Sequence, residues 1–108
     1  MPHTDQSVFR ALADPTRRTI LKDLVQNDMT IAQVASNFDM TRAAVKKHLT
    51  ILSAGGLITV QARGREKINT LNPKGFAPVL DWLTFFDQFW DARLADLKTA
   101  IDVENANG

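Results

Sequence analysis

Two short amphipathic helices, joined by a turn of a few residues, are the sequence feature that most constrains the fold of this chain. Thr30 and Gln33 form a capping-box pattern that predicts the start of the first helix, which continues to Phe38. Thr41 can cap the second helix, and the Gly55-Gly56 pair predicts its end in a left-handed conformation. The apolar residues of the second helix recur with helical spacing and define its inward face: Val45, Leu49 and Leu52.

A β-hairpin is predicted directly after these two helices. Residues 57–63 are rich in β-forming side chains, Gly64 and Arg65 can form a tight turn, and residues 66–71 can return as a second strand. Two short helices joined by a turn and followed by a small hairpin are typical of the winged helix-turn-helix arrangement. We therefore predict a mostly α-helical fold in which the hairpin forms the wing.

The remaining segments complete one domain, because globular domains commonly contain ~100–150 residues and this chain has 108. Asp14-Pro15 predicts the start of a helix, and the apolar residues before it indicate a shorter first helix from about Thr4. We expect a single domain over residues 1–108, with the helix-turn-helix at about 30–54, the wing at about 57–72 and a C-terminal helix at about 74–102.

Several classes of protein are excluded by composition. The chain contains no cysteine, so a disulfide scaffold and a thiolate metal site are both excluded. No apolar run approaches the ~18 residues of a membrane span, and the first residues do not resemble a secretory signal. We expect a soluble, cytoplasmic protein. The sequence has no glycine-rich phosphate loop and no Ser/His/Asp grouping, so we expect neither an enzyme nor a cofactor.

Charge is distributed unevenly along the chain, although the net charge is only +1. Residues 42–74 contain seven lysines and arginines against one glutamate, whereas residues 75–108 contain two basic and six acidic residues. The middle of the chain is therefore expected to attract a polyanion, and the C-terminal part to be repelled by one.

The second helix has the two faces that a helix needs in order to lie in the major groove of DNA. Its apolar face can pack on the domain, while cationic and hydrogen-bonding groups point outward near its N-terminal end. Three cations around Gly64 can follow a phosphate backbone or enter the minor groove, although for Arg63 and Arg65 a solvated hairpin edge is the alternative. We predict double-stranded DNA as the partner, with these contact residues: Thr41, Arg42, Ala43, Lys46, Lys47, Arg63, Arg65 and Lys67.

Aromatic residues are concentrated in the C-terminal helix, where residues 82–90 hold five of the chain's eight. This helix is apolar around much of its girth, which is more than one small core can absorb. Large exposed apolar patches mark partner surfaces, and aromatic residues are enriched at the centres of interfaces. We predict a two-fold homodimer in which this dimerisation helix packs against its copy and the first helix joins it, through Phe9, Trp82, Phe86, Phe89, Trp90, Leu94 and Leu97.

Several segments of the chain resemble the ArsR/SmtB-type transcriptional regulators. They are residues 9–21, residues 40–49 together with Leu52 and residues 54–58, the wing sequence Arg63-Gly64-Arg65-Glu66, and residues 80–94, which are similar to a cysteine-free subgroup. The resemblance covers about residues 7–102 and implies a homodimeric repressor that binds an operator near its own gene. It also implies DNA contacts at Arg42, Ala43, Lys46 and Lys47.

The resemblance also bears on metal binding, because well-known members of the family sense metals. The positions of their cysteine ligands fall here on Thr30 and Ala32, which cannot bind a soft cation. The other family site uses histidines and carboxylates on the last helix, and this chain has no histidine after His48. We therefore expect no metal site.

Several assignments stay open at the level of sequence. Arg17 and Arg18 suit an ion pair between helices as well as a DNA contact. His48 suits a packed, hydrogen-bonded imidazole as well as a phosphate contact or a pH-sensitive role. For function, the alternatives are a winged-helix module that binds a protein partner, and a repressor that a small apolar ligand at the dimer seam releases from DNA.

Overall fold

The computed structural model describes residues 4–107, with the side chains of residues 88, 90–92, 94 and 107 left out of the description. The described residues form two compact units, which divide after Pro78 and are treated separately below. The predicted mostly helical fold with a hairpin wing is confirmed. Its elements are α1 (Asp5–Leu12), α2 (Pro15–Gln26), β1 (Met29–Thr30), α3 (Ile31–Phe38), α4 (Arg42–Ala54), β2 (Ile58–Arg63), β3 (Glu66–Leu71), a 3₁₀ turn (Pro73–Phe76), α5 (Ala77–Phe85) and α6 (Asp87–Asn107).

The starts of the first four helices are set by side-chain caps. The side-chain oxygens of Thr4, Asp14, Thr30 and Thr41 each accept the backbone N–H three residues further on, at 3.0–3.2 Å. The capping box of α3 is complete, because the Gln33 side chain also accepts the Thr30 backbone N–H at 2.8 Å. These bonds satisfy amide groups that have no partner within the helix. The predicted helix starts at Asp14, Thr30 and Thr41 are therefore confirmed.

The glycine pair after α4 turns the chain from the helix into the sheet. Gly56 adopts φ 77°, a left-handed conformation. Its N–H donates to the Ser53 carbonyl at 2.9 Å, while the N–H of Leu57 donates to the Leu52 carbonyl at 3.1 Å. These two bonds close the helix in the paired pattern of a left-handed C-cap. The turn carries Leu57 directly into the core, where it is fully buried.

The sheet is antiparallel and has three strands in the order β1-β3-β2. The two longer strands form the predicted hairpin, with Ile58 opposite Leu71 and Arg63 opposite Glu66 at its ends. The short strand β1 was not predicted, because its pairing involves only two residues and so leaves no periodic pattern. The Asn69 side chain, which is 3% exposed, ties β1 to β3 by donating to the Met29 carbonyl at 3.1 Å.

The core of the first unit lies between the helices and the inner face of the sheet. The predicted inward face of α4 is confirmed, since Val45, Leu49 and Leu52 are 0%, 5% and 0% exposed. Side chains of α1, α2, β1, α3 and β2, together with Leu57 just before β2, complete the core: Val8, Ala11, Ile20, Leu21, Leu24, Met29, Val34, Ala35, Leu57 and Ile58.

The C-terminal region differs from the single helix predicted over residues 74–102. It begins with a 3₁₀ turn and then forms α5 and α6, which are interrupted at Phe86. Hydrogen bonds of 3₁₀ spacing flank the break, since Phe86 N–H donates to Leu83 at 3.1 Å and Phe89 N–H donates to Phe86 at 2.8 Å. The Phe86 ring meets the rings of Trp82 and Phe85 edge to face, at centroid distances of 5.4 and 5.1 Å. These contacts place the aromatic cluster at the interruption.

Candidate nucleic-acid interface

Helix α4 is held in the first unit by its buried face and presents cations on its exposed surface. Val45 and Leu49 are buried, whereas Arg42, Lys46 and Lys47 are exposed. The helix contains no acidic residue. Arg42 lies in the first turn, where unpaired amide groups and the helix dipole add positive potential. The exposed side of α4 can therefore attract phosphate groups along most of its N-terminal half.

A short turn connects α3 to α4 and determines the direction in which α4 leaves. Asp39 adopts φ 51°, which makes it the one non-glycine residue with positive φ in the part of the chain that the structure describes. Aspartate tolerates this conformation better than most residues. The Met40 N–H then donates to the Ala35 carbonyl at 3.1 Å, and Thr41 caps α4.

The wing projects as a regular hairpin with a two-residue turn. Gly64 is the first turn residue and has φ 62°, which is the pattern of a type II′ turn. A Cβ atom at Gly64 would meet no other atom within 4 Å. The tip that carries Arg65 is therefore open on the side toward which a side chain of residue 64 would point.

Strand alternation divides the cations of the wing between its two faces. Lys67 pairs with Ala62 on the inner face, which also carries the buried Asn69. Arg63 lies on the outer face, directly opposite Glu66. Lys67 and Lys46 line one cleft between the wing and α4. Of the predicted DNA contacts in the wing, the fold thus brings Lys67 to the exposed side of α4 and directs Arg63 away from it.

Arg17 and Arg18 have a role that neither of the predicted alternatives describes. The Arg17 Nε donates to the Ala11 carbonyl at 2.8 Å, and its Nη2 donates to the Arg10 carbonyl at 3.0 Å. The Arg18 Nη1 donates to the Leu12 carbonyl at 2.7 Å. The last carbonyls of a helix have no partner within it, so cations close to them stabilise its end. Both arginines therefore cap the C-terminus of α1 from α2.

His48 joins α4 to the start of α2. Its Nδ1 lies 3.4 Å from Nη1 of Arg17 and 3.9 Å from Oδ2 of Asp14. Since arginine can only donate, Nδ1 is the acceptor in the first contact. The Arg17 backbone N–H, followed by the charge of Arg17, lowers the pKa of Asp14. Of the alternatives for His48, the structure shows the packed, hydrogen-bonded imidazole.

Among the described residues, no group of three or more histidine, aspartate or glutamate side chains is arranged to hold a metal ion. The Thr30 hydroxyl caps α3. Within residues 4–107, none of the helices combines the length and apolar character that a membrane crossing requires.

The predicted dimer residues lie on α1 and on the C-terminal helices. Phe9 is 37% exposed, and Trp82, Phe89 and Leu97 are 48–57% exposed. Phe86 is half-buried against neighbouring rings. The side chains of Trp90 and Leu94 lie outside the described residues. Further large apolar side chains of this region are similarly exposed and were not among the predicted contacts: Leu80, Phe85, Ile101 and Val103.

This fold and this cationic surface define a winged helix-turn-helix protein, and comparisons with known proteins agree. A helix-turn-helix domain model matches residues 12–61. The HTH-type transcriptional regulator Rv2034 of Mycobacterium tuberculosis is 31% identical over 96 residues, which cover 89% of this chain and 87% of that protein. The transcriptional repressor SdpR of Bacillus subtilis is 32% identical over 80 residues, covering 74% and 89%.

Solved structures show the same likeness. An ArsR-like transcriptional regulator from Rhodococcus sp. RHA1 is 33% identical, with a TM-score of 0.72 over 91% of this chain and 90% of that one. A homodimeric winged helix-turn-helix domain from Mycobacterium bovis, 20% identical, shares the fold with a TM-score of 0.62 over 82% and 83%. The chain belongs to the ArsR family and is a DNA-binding transcriptional regulator. The resemblance identified from the sequence is confirmed.

Proposed function

We propose that this protein is a dimeric repressor that binds an inverted-repeat operator through α4 and the wing. The observation that carries the proposal is that Arg42, Lys46 and Lys47 are exposed on α4 while its apolar face is buried. This arrangement lets a helix enter the major groove without unfolding its own domain. The name of the repressor SdpR supports repression as the outcome of binding. The protein would act without catalysis or a cofactor, in the cytoplasm.

The proposed contacts differ in kind along the surface. Arg42, Lys46 and Lys47 reach phosphates or base edges from α4, and Ala43 is small enough to allow close approach. The Thr41 hydroxyl accepts the capping hydrogen bond of α4. Thr41 would therefore lie near the DNA at the start of the helix, with its hydroxyl oxygen already engaged. In the wing, Lys67 extends the surface of α4, Arg65 reaches DNA from the tip, and Arg63 contacts a more distant phosphate from the outer face.

The proposed dimer rests on apolar surface that a single chain leaves exposed. Seven large apolar side chains of residues 80–103 are at least 48% exposed, among them Trp82 and Phe89. Exposed apolar area of this kind is costly in water unless a partner covers it. Phe9, in the first unit, is a second proposed contact with the partner. A homodimer would hold two α4 helices about one DNA turn, ~34 Å, apart.

We also propose that the two compact units work as one functional domain. The helix-turn-helix of about residues 30–54 and the wing of about residues 57–72 would bind DNA. The region of about residues 74–102, which forms a 3₁₀ turn followed by two helices, would mediate dimerisation. Its net negative charge keeps this part of the chain away from the phosphates.

Fluorescence anisotropy tests the proposal directly. The purified protein is titrated onto labelled DNA from upstream of its own gene and onto a scrambled duplex, at two salt concentrations. We expect tight, salt-sensitive binding to the native DNA. If the dimer contacts ~6–10 phosphates, raising the salt concentration from 50 to 200 mM should lower its affinity ~10³–10⁵-fold. Equal, weak binding to both duplexes would contradict the choice of operator and favour a protein partner for the cationic surface.

A further inference from the structure

The cleft between α4 and the wing has the size and lining of a binding site for a small molecule. Its volume is about 420 Å³, within the range of ~300–1,000 Å³ that is usual for ligand pockets. Ile31, Leu49 and Val60 contribute apolar surface, and Asn69 contributes an amide from the inner face of the wing. The cleft lies wholly in the first unit, and none of its lining residues is a proposed dimer contact.

Charge in the cleft indicates what kind of molecule it would hold. Lys46 lines it from α4 and Lys67 from the wing. Among the described residues that line the cleft, none is acidic. We propose that the cleft binds a small anionic amphiphile, a carboxylate with an aliphatic body. The carboxylate would pair with the two lysines while the aliphatic part covers Ile31 and Val60.

The exposure of Val60 supports an occupant of this kind rather than DNA alone. Val60 is 44% exposed although it lies on the inner face of the sheet, directly opposite the buried Asn69 on the neighbouring strand. Burying apolar surface is favourable by about 25 cal/mol per Å². A phosphate can pair with the lysines but leaves this apolar surface in water, whereas an aliphatic chain covers it.

Occupation of the cleft would oppose DNA binding, a consequence that rests on the proposed function. Lys46 belongs both to the cleft and to the proposed DNA surface. A carboxylate paired with Lys46 removes that cation from the phosphates, and linkage requires that DNA weaken carboxylate binding by the same factor. The cleft would thus make the regulator responsive to an anionic metabolite of this class.

The first test uses sodium octanoate as the probe, with 1-octanol and sodium acetate as comparisons that lack the charge or the aliphatic chain. The full chain is titrated and followed by amide NMR shifts. We expect the shifts caused by octanoate to cluster in α4 and the wing. Octanol and acetate should each bind at least about fivefold more weakly than octanoate. Equal affinity for octanol overturns the anionic class, and shifts centred on residues 79–107 overturn the site.

A pair of substitutions localises the probe. Val60→Glu places a negative charge in the cleft, while Gln61→Glu makes the same change of charge on the outer face of the same strand. We expect Val60→Glu to lower octanoate affinity at least tenfold and Gln61→Glu to change it less than twofold. Circular dichroism establishes that both variants remain folded, which exposed positions allow. Equal octanoate affinity in the two variants overturns the proposal.

DNA binding by the unliganded protein separates this inference from the proposed function. Specific operator binding without octanoate binding overturns the inference and leaves the regulator's function intact. Octanoate binding in the cleft without specific DNA binding supports the site and contradicts the proposed function. We expect both to occur, with saturating octanoate lowering operator affinity.

Discussion

Gly75 lies where the 3₁₀ turn passes the end of α4, and its replacement by alanine tests how closely the two segments approach. A Cβ atom at Gly75 would lie 1.9 Å from the carbonyl oxygen of Gly56 and 2.6 Å from its carbonyl carbon. Both neighbours are backbone atoms, so no side-chain rotation relieves the overlap. The same carbonyl oxygen accepts a hydrogen bond from Nδ2 of Asn72 at 2.8 Å. Moving the backbone apart therefore also disturbs this bond.

The magnitude follows from these two effects. Overpacking in a closely packed region costs ~1–3 kcal/mol, and a lost hydrogen bond costs ~1 kcal/mol more. We expect Gly75→Ala to lower the free energy of unfolding by about 2–4 kcal/mol. For a domain of this size, that corresponds to a decrease of Tm by roughly 10–30 °C.

Urea unfolding followed by far-ultraviolet circular dichroism measures this change. All samples are compared at one protein concentration, because association contributes to the stability of an oligomer. Lys74→Ala is the matched control, since Lys74 is an exposed neighbour in the same turn; we expect it to change the unfolding free energy by less than about 0.5 kcal/mol. Should Gly75→Ala unfold at the same urea concentration as the wild type, the close approach to Gly56 is wrong.

Three further predictions concern DNA binding, assembly and pH. Lys46→Ala should make the slope of log affinity against log salt shallower by about 1.8, from one phosphate contact per protomer; Lys22→Ala on α2 is the control, and equal slopes would remove Lys46 from the interface. Leu97→Asp should give a folded monomer in analytical ultracentrifugation, because Leu97 is 57% exposed in the isolated chain; a remaining dimer would exclude it from the contact. Because the pKa of Asp14 is lowered in the folded protein, its carboxylate stabilises the fold at pH values above the ordinary pKa of 3.8. This contribution is lost as the pH falls through the lower pKa of the folded state. Asp14→Ser, which keeps the cap, should therefore lose less urea stability than wild type between pH 5 and pH 2, and equal losses would contradict this role of Asp14.

Local signals in the sequence predicted most of the first unit. Helix starts depend on a hydroxyl or carboxylate three residues before an amide, so Asp14, Thr30 and Thr41 were recognisable from spacing alone. The wing was equally local, since Gly64 supplies the positive φ of a two-residue turn. The apolar spacing of α4 then predicted both its buried face and the cations that it leaves exposed.

Other features depend on contacts between distant parts of the chain. Strand β1 pairs Met29 with Asn69, 40 residues away, and two residues carry no periodic pattern. The interruption at Phe86 contains neither glycine nor proline, so no local signal marks it. One feature that was not predicted does have a local signal, because arginines just after a short helix can reach its last carbonyls, as Arg17 and Arg18 do.

The sequence by itself therefore determined the helices of the first unit, the hairpin, the buried face of α4 and the family of the protein. These follow from hydrogen bonds and burial patterns within a few residues, where the number of possible partners is small. Tertiary structure alone decided that Lys46 and Lys67 line one cleft while Arg63 lies on the other face of the wing. The reason is that such neighbourhoods depend on strand register and on how α4 packs against the sheet, which no short stretch of sequence encodes.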